Sequence, residues 1–125
     1  MRITKEYIQA GSPLTPRALL KKLAESTDTK LRKRVASNVG APKAVLQELA
    51  VDPDPGVRRE TAINPGVPMP VKRRLIDDRS ANVRLALAGN GRMPVSILRA
   101  LLNDRNAYVV ARARQTISRL LGLGA

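Results

Sequence analysis

The sequence predicts an all-α fold, a solenoid of about four 26-residue two-helix repeats with a short N-terminal helix and a C-terminal capping helix. Three observations lead to this prediction. Similar residues recur at a step of 26, the apolar residues of each copy are spaced as on one face of a helix, and turn-forming residues separate the helical segments.

The repeat is defined by columns of similar residues that lie 26 positions apart. The first columns hold proline and the apolar residues three and seven positions after it: Pro16, Pro42, Pro68 and Pro94; Leu19, Val45, Val71 and Ile97; Leu23, Leu49, Leu75 and Leu101. The next columns are Ser26, Asp52, Asp78 and Asp104; Leu31, Val57, Val83 and Val109; Arg32, Arg58, Arg84 and Val110; Ala36, Ala62 and Ala88; Asn38, Asn64 and Asn90. The last copy departs from this pattern at Arg114 and Thr116.

Each repeat is predicted to contain two short helices. The first, which we call the Pro helix, begins near the proline and carries its apolar residues at i, i+3 and i+7. Proline suits the first turn of a helix because its missing N–H has no helical partner there, and Thr15 offers a capping hydroxyl in the first copy. The second, the Arg helix, has Val83 and Leu87 at i and i+4. The small alanines of the Ala column indicate a close crossing of neighbouring helices.

Turn-forming residues lie between the helices, as in Asp52-Pro53-Asp54-Pro55-Gly56 and Asn64-Pro65-Gly66. The asparagine and glycine of the second kind of turn tolerate the left-handed conformation that commonly ends helices. One two-helix unit cannot bury its own apolar stripe, so the repeats are expected to stack on one another.

The two ends of the chain depart from the repeat, as expected where a terminal unit has a neighbour on one side only. We expect one domain over residues 1–125, with an N-terminal cap in 1–15, repeats in 16–108, and a C-terminal capping helix and tail in 109–125. The N-terminal cap is predicted to hold one helix from Thr4 to Ala10. The C-terminal helix is predicted from Val109 to Leu121.

The repeated unit reads Asp-x-x-x-x-Val-Arg-x-x-x-Ala-x-Asn followed by Pro-x-x-Val-x-x-x-Leu, from Asp52 to Leu75 and again from Asp78 to Leu101. It resembles the leucine-rich repeat variant within the HEAT-like helical repeats, over residues 16 to about 113. The resemblance implies a right-handed superhelix that serves as a binding surface. The period is slightly longer than is typical of that family, and the cysteines that hold an iron–sulfur cluster in its founding example are absent, so no cofactor is expected.

Composition argues against catalysis and against a metal site. The chain has no His, no Cys, no Trp and no Phe. The adjacent carboxylates Asp77 and Asp78 should point in different directions, which makes them a poor metal or acid–base pair. The glycines of Gly122-Leu123-Gly124 precede no helix and so do not form a phosphate loop. We therefore expect no enzyme and no small-molecule substrate, and, with no apolar span or disulfide, a cytoplasmic protein that does not enter a membrane.

The charge of the chain predicts an anionic partner. Its 23 Lys and Arg outnumber its 10 Asp and Glu, which gives a net charge of +13. The arginine column is the exception, because Asp52 and Asp78 lie six residues before Arg58 and Arg84, and in HEAT-like repeats such pairs form a ladder of hydrogen bonds between units. Arg32, Arg58 and Arg84, with Asp52 and Asp78, are therefore interpreted as structural.

Basic residues outside this ladder are the candidate contacts to nucleic acid. They form a ridge on the Pro helices and continue into the turns and Arg helices: Lys21, Lys22, Lys33, Arg59, Arg73, Arg74, Arg79, Arg99 and Arg105. Duplex DNA or structured RNA is favoured over single strands because two tyrosines offer few stacking surfaces.

Three other interpretations remain open at this point. The chain could be a scaffold that binds an acidic protein through an apolar groove near Met69 and Met93. It could be one piece of a larger assembly. Any one basic residue could also belong to a solvated surface that has no partner.

Overall fold

The computed structural model describes residues 3–122, and within them the prediction of an all-α fold is confirmed. These residues form nine α-helices and one 3₁₀ helix, with no strand. The α-helices are α1 (Lys5–Gly11), α2 (Arg17–Ala24), α3 (Thr29–Ala36), α4 (Lys43–Leu49), α5 (Pro55–Ile63), α6 (Met69–Leu75), α7 (Ala81–Ala88), α8 (Val95–Ala100) and α9 (Ala107–Leu120), and the 3₁₀ helix is Leu101–Asn103. Residues 1, 2 and 123–125, and with them parts of both predicted caps and of the Gly122-Leu123-Gly124 end, lie outside the described residues.

Side-chain caps start most of the Arg helices. The carboxylate of Asp28 accepts a hydrogen bond from the N–H of Lys30, and that of Asp54 accepts from Gly56. Asn106 caps α9 in the same way, so capping residues also recur at a step of 26. Each such cap contributes about 1 kcal/mol to helix stability. These helices still depend on packing, because segments shorter than about 12 residues are marginal alone in water.

One local expectation was wrong. The Thr15 hydroxyl does not cap α2 but donates to the carbonyl of Gln9 at 2.6 Å, and Pro16 takes the cap position without a side-chain bond. The glycines of the repeat turns do not use the left-handed conformation that they tolerate. Gly122 is the one glycine with positive φ among residues 3–122, and Asn64 ends α5 in an extended conformation with φ −68°.

The chain divides into two compact units, one ending at Pro68 and the other beginning at Met69. In the first unit, α1, α3 and α5 pack side by side in one layer, while α2 and α4 form a second layer against them. The core between the layers is aliphatic, as the composition requires. It contains Ala10, Leu20, Leu23, Ala24, Val35, Ala36, Val45, Leu49 and Val57.

The second unit has a similar arrangement. Helices α7 and α9 pack together, α6 contacts α7, and α8 with the 3₁₀ helix contacts α9. The fully buried side chains include Leu75, Val83, Leu87, Leu98 and Leu101. In both units one layer holds the Arg helices, which are α3 and α5 in the first unit and α7 in the second. Helix α1 joins this layer in the first unit and α9 joins it in the second, and each layer has one side facing the core and the other facing solvent.

Candidate functional site

Two residues of the arginine column form bidentate ion pairs. Arg32 donates from Nε to Asp52 Oδ2 at 2.8 Å and from Nη2 to Oδ1 at 3.3 Å, and Arg84 bonds Asp104 in the same way at 2.8 and 3.4 Å. The hydrogen bond to Asp52 raises the pKa of the Arg32 guanidinium above its ordinary value, although partial burial acts in the opposite direction. The carboxylate of Asp52 therefore stabilises the charged form of Arg32.

The carboxylate partner of each of these two arginines lies 20 residues after it, in the next copy of the repeat. The residue six positions before the arginine contributes a backbone carbonyl instead: Arg84 donates to the carbonyl of Asp78 at 2.6 Å, and Arg58 donates to that of Asp52 at 2.8 Å. Each aspartate of the column also accepts a bond from the backbone N–H two residues later, which holds its own turn. One carboxylate thus fixes a turn and joins two copies.

The asparagine column makes a second set of links between copies. The amide nitrogen of Asn38 donates to the carbonyls of Ala10 and Ser12, and that of Asn64 donates to those of Ala36 and Asn38. Thr116, where the sequence pattern breaks, is fully buried and donates to the carbonyl of Ala88 at 2.6 Å. A hydroxyl therefore replaces the amide in the last copy.

All nine candidate contact residues are exposed, but they lie on different elements. The list by element is Lys21 and Lys22 on α2, Lys33 on α3, Arg59 on α5, Arg73 and Arg74 on α6, Arg79 before α7, Arg99 on α8 and Arg105 before α9. Arg59 forms an exposed ion pair with Glu60 at 3.3 Å. Within residues 3–122 the other eight have no ion pair, so their charges are available to a ligand.

Among the candidate contacts, Lys33 lies in a defined cleft of the first unit. This cleft, which we call the Tyr7 cleft, has a volume of about 300 Å³ and lies across the solvent side of α1, α3 and α5. Its lining residues are Tyr7, Lys30, Lys33, Arg34, Ser37 and Glu60. Three cations and one carboxylate make the cleft electropositive, and Lys30, Lys33 and Arg34 share one face of α3 because they are spaced i, i+3 and i+4.

Neighbouring helices provide the space for these cations. The guanidinium carbon of Arg34 lies 4.7 Å from the centroid of the Tyr7 ring, a cation–π contact. The same guanidinium crosses Gly11, where a Cβ would overlap it, and the Lys33 side chain crosses Gly56, where a Cβ would lie 2.5 Å from its Cε. Neither glycine has a positive φ, and the atom nearest to a Cβ at each belongs to the cationic side chain that crosses it.

A second cleft, which we call the Tyr108 cleft, lies on α7 and α9 and has a volume of about 550 Å³. Its lining residues are Leu85, Tyr108, Ala111, Arg112, Arg114, Gln115 and Ser118. It has two arginines and no carboxylate, so it too is electropositive. Tyr108 is 80 % exposed.

The two adjacent carboxylates of residues 77 and 78 have different surroundings. Asp77 is exposed, whereas the carboxylate of Asp78 accepts from the N–H of Ser80 at 2.9 Å. No group of three or more His, Cys, Asp or Glu side chains that could hold a metal ion is present in residues 3–122.

Sequence reasoning missed the composition of both clefts. Lys30, Arg34, Tyr7 and Tyr108 are not among the candidate contacts, because the residue types in their columns change from copy to copy. The signal available for the first cleft was the spacing of Lys30, Lys33 and Arg34 along α3. No feature of the sequence connected these three cations to Tyr7, because the contact between Arg34 and Tyr7 joins residues 27 positions apart.

Comparisons of the chain with protein-family models, with curated proteins and with solved structures find no match. Over residues 3–122, none of the helices has both the length and the apolar character needed to cross a membrane.

Proposed function

We propose that the protein is a non-enzymatic binding module that engages nucleic acid through the exposed cations of its Arg helices, with the Tyr7 cleft at the centre of the contact. The single observation that supports it most is the grouping of Lys30, Lys33 and Arg34 in one cleft without an ion pair to any described carboxylate. Phosphates are the anions that such a group meets at regular spacing along a polymer.

The net charge and the ion pairs between copies support the same proposal. The arginines paired with Asp52 and Asp104 form the ion pairs between copies. The cations on the exposed face of α3 are therefore not needed for those links. Long Lys and Arg side chains adjust to phosphate positions without reading bases, so the contact favours shape and charge over sequence. Other exposed cations, including Lys21 and Arg73, strengthen the attraction at longer range.

Paired charge variants test this proposal. Lys30→Gln/Lys33→Gln and Lys21→Gln/Lys22→Gln remove the same charge, the first pair from the cleft and the second from α2. Binding of the full chain to a labelled RNA hairpin at low salt should weaken about tenfold for the first pair and much less for the second. Equal binding by the first pair and the unmodified chain would overturn the proposal. A larger loss in the second pair would move the contact to the Pro helices.

We also infer that the copies stack as a right-handed α-solenoid of the leucine-rich repeat variant type. The repeated links support this: Asn38 and Asn64 bond equivalent carbonyls 26 residues apart, and Arg32 and Arg84 bond equivalent aspartates. A variant with one 26-residue unit duplicated tests it. A solenoid accepts the extra unit with helicity rising in proportion to length, whereas a closed fold loses helicity and cooperative unfolding.

A scaffold that binds an acidic protein is the alternative function. The apolar groove expected for such a scaffold near Met69 and Met93 has weak support, because Met93 is 4 % exposed and packs in the core. The alternative would gain support if the chain bound an acidic polypeptide such as polyglutamate more tightly than an RNA of equal charge.

A further inference from the structure

Both aromatic residues of the chain line clefts, Tyr7 on α1 and Tyr108 on α9. The chain has two Tyr and no Phe or Trp, so Tyr7 and Tyr108 are its entire aromatic content. Aromatic rings usually contribute large buried areas to a core. Here the core is aliphatic, Tyr7 is only partly buried, and Tyr108 is 80 % exposed. Neither ring is needed to fill the interior.

Each tyrosine shares its cleft with an arginine. The Arg34 guanidinium covers the Tyr7 ring at 4.7 Å, and Arg112 follows Tyr108 by four residues on α9, in the lining of the same cleft. Arg112 also lies across Gly89, where a Cβ would be 3.2 Å from its Nη1. Nucleobases stack on aromatic rings and on guanidinium planes, and the accompanying phosphate binds cations.

We propose that each of the two clefts binds one unpaired nucleotide, with its base stacked on the tyrosine–arginine pair and its phosphate bound by the neighbouring cations. This inference rests on the proposed function and names its ligand more closely. Volumes of about 300 and 550 Å³ are in the range of small-ligand sites, roughly 300–1,000 Å³. A base inside a duplex has no free face, so the ligand is a single-stranded segment or an unpaired loop. The small number of tyrosines favours a duplex ligand. Their position in the two clefts favours unpaired bases, and we give this position more weight than the number.

Intrinsic fluorescence gives a direct readout of this contact. Because the chain has no tryptophan, its emission comes from Tyr7 and Tyr108 alone. Tyrosine emission is measured at low salt during titration with an oligothymidylate of about 12 nucleotides and is corrected for light absorbed by the bases. The same titration is made with an abasic oligonucleotide of equal length. Stacking predicts strong quenching by the first and little by the second. The affinity for the first should also be about tenfold higher.

Substitutions separate stacking from charge. Tyr7→Leu and Tyr108→Leu remove the ring, whereas Tyr7→Phe and Tyr108→Phe keep it. The leucine variants should each lose about five- to tenfold in affinity for oligothymidylate while binding heparin, a polyanion without bases, as the unmodified chain does. The phenylalanine variants should bind both ligands normally. Tyr108→Leu is informative even if Tyr7→Leu unfolds, since Tyr108 is largely exposed.

The two proposals fail in different ways. Equal affinity for oligothymidylate and its abasic counterpart, together with normal binding by both leucine variants, would overturn the nucleotide sites and leave polyanion binding intact. Absence of binding to oligothymidylate and to heparin alike at low salt would overturn the proposed function itself.

Discussion

Arg84 and Asp104 form an ion pair in which both side chains are almost completely buried, with exposed fractions of 3 % and 5 %. Their contact spans 20 residues and joins α7 to the turn that precedes α9. Breaking a buried pair on one side leaves an uncompensated charge in the interior, which costs several kcal/mol. Loss of either partner is therefore expected to destabilise the second unit strongly.

Replacement of Asp104 by Asn should lower the free energy of unfolding by about 3 kcal/mol, because Arg84 then stays buried without its counter-charge. The amide keeps an oxygen for the N–H of Asn106, so the turn itself survives. Asp77→Asn is the matched control, since it removes the same charge from an exposed position of the same unit. Urea unfolding followed by circular dichroism measures both. Similar losses in the two variants would show that the pair contributes nothing specific.

Thr116→Val should destabilise the protein by about 1–2 kcal/mol, because the carbonyl of Ala88 at the end of α7 loses its donor in a buried place. Valine keeps the shape of the side chain, so the change isolates the hydroxyl. Thr27→Val, at an exposed position in a turn, serves as control. An unfolding free energy unchanged from that of the control would contradict the assignment of Thr116 to the asparagine column.

Gly40→Ala should cost about 1–3 kcal/mol, since a Cβ there would lie 2.7 Å from the carbonyl oxygen of Pro13 and 2.9 Å from its Cα. Both atoms belong to backbone and cannot rotate away. Gly66→Ala is the equivalent change one copy later, where the nearest atom is the side-chain Oδ1 of Asn64 at 3.3 Å. Thermal unfolding should show a clearly lower midpoint for the first variant alone, and equal midpoints would argue against the close approach.

Glu60→Gln should raise the affinity for a labelled RNA hairpin about threefold, because Glu60 is the one carboxylate among the residues that line the Tyr7 cleft. The same change also releases Arg59 from its exposed ion pair. Glu48→Gln removes an exposed carboxylate from α4 and controls for net charge. If both variants gain equally in fluorescence anisotropy titrations, the cleft has no special part in binding.

Much of the fold could be predicted because the columns of apolar residues in the repeat indicate which side chains face a core. The predicted N-terminal helix, Thr4 to Ala10, is found at Lys5–Gly11, with Thr4 as its cap. Partners across the boundary between copies were harder to predict. The aspartate six residues before an arginine and the one 20 residues after it belong to the same column, so the sequence pattern cannot distinguish them. Only the helix packing brings the later one to the guanidinium of Arg32.

The change from Asn to Thr in the asparagine column at Thr116 also has a physical explanation. A column that changes from Asn to Thr keeps its function, because the required group is a donor aimed at one carbonyl and a hydroxyl supplies it. The candidate site could be predicted only in part for the opposite reason. Column by column, Lys33 is followed by Arg59 and then by Leu85, so the lysine of the Tyr7 cleft is not repeated along its column.

The salt dependence of binding tests the central claim most directly. The affinity of the full chain for a single-stranded oligonucleotide is measured between about 50 and 200 mM salt, alongside that of Lys30→Gln/Lys33→Gln/Arg34→Gln. Since each lost phosphate contact lowers the slope of log affinity against log salt by about 0.7, we expect the triple variant to have a slope smaller by about 2. Slopes that are equal, or an affinity of the unmodified chain that does not fall with salt, would contradict the account.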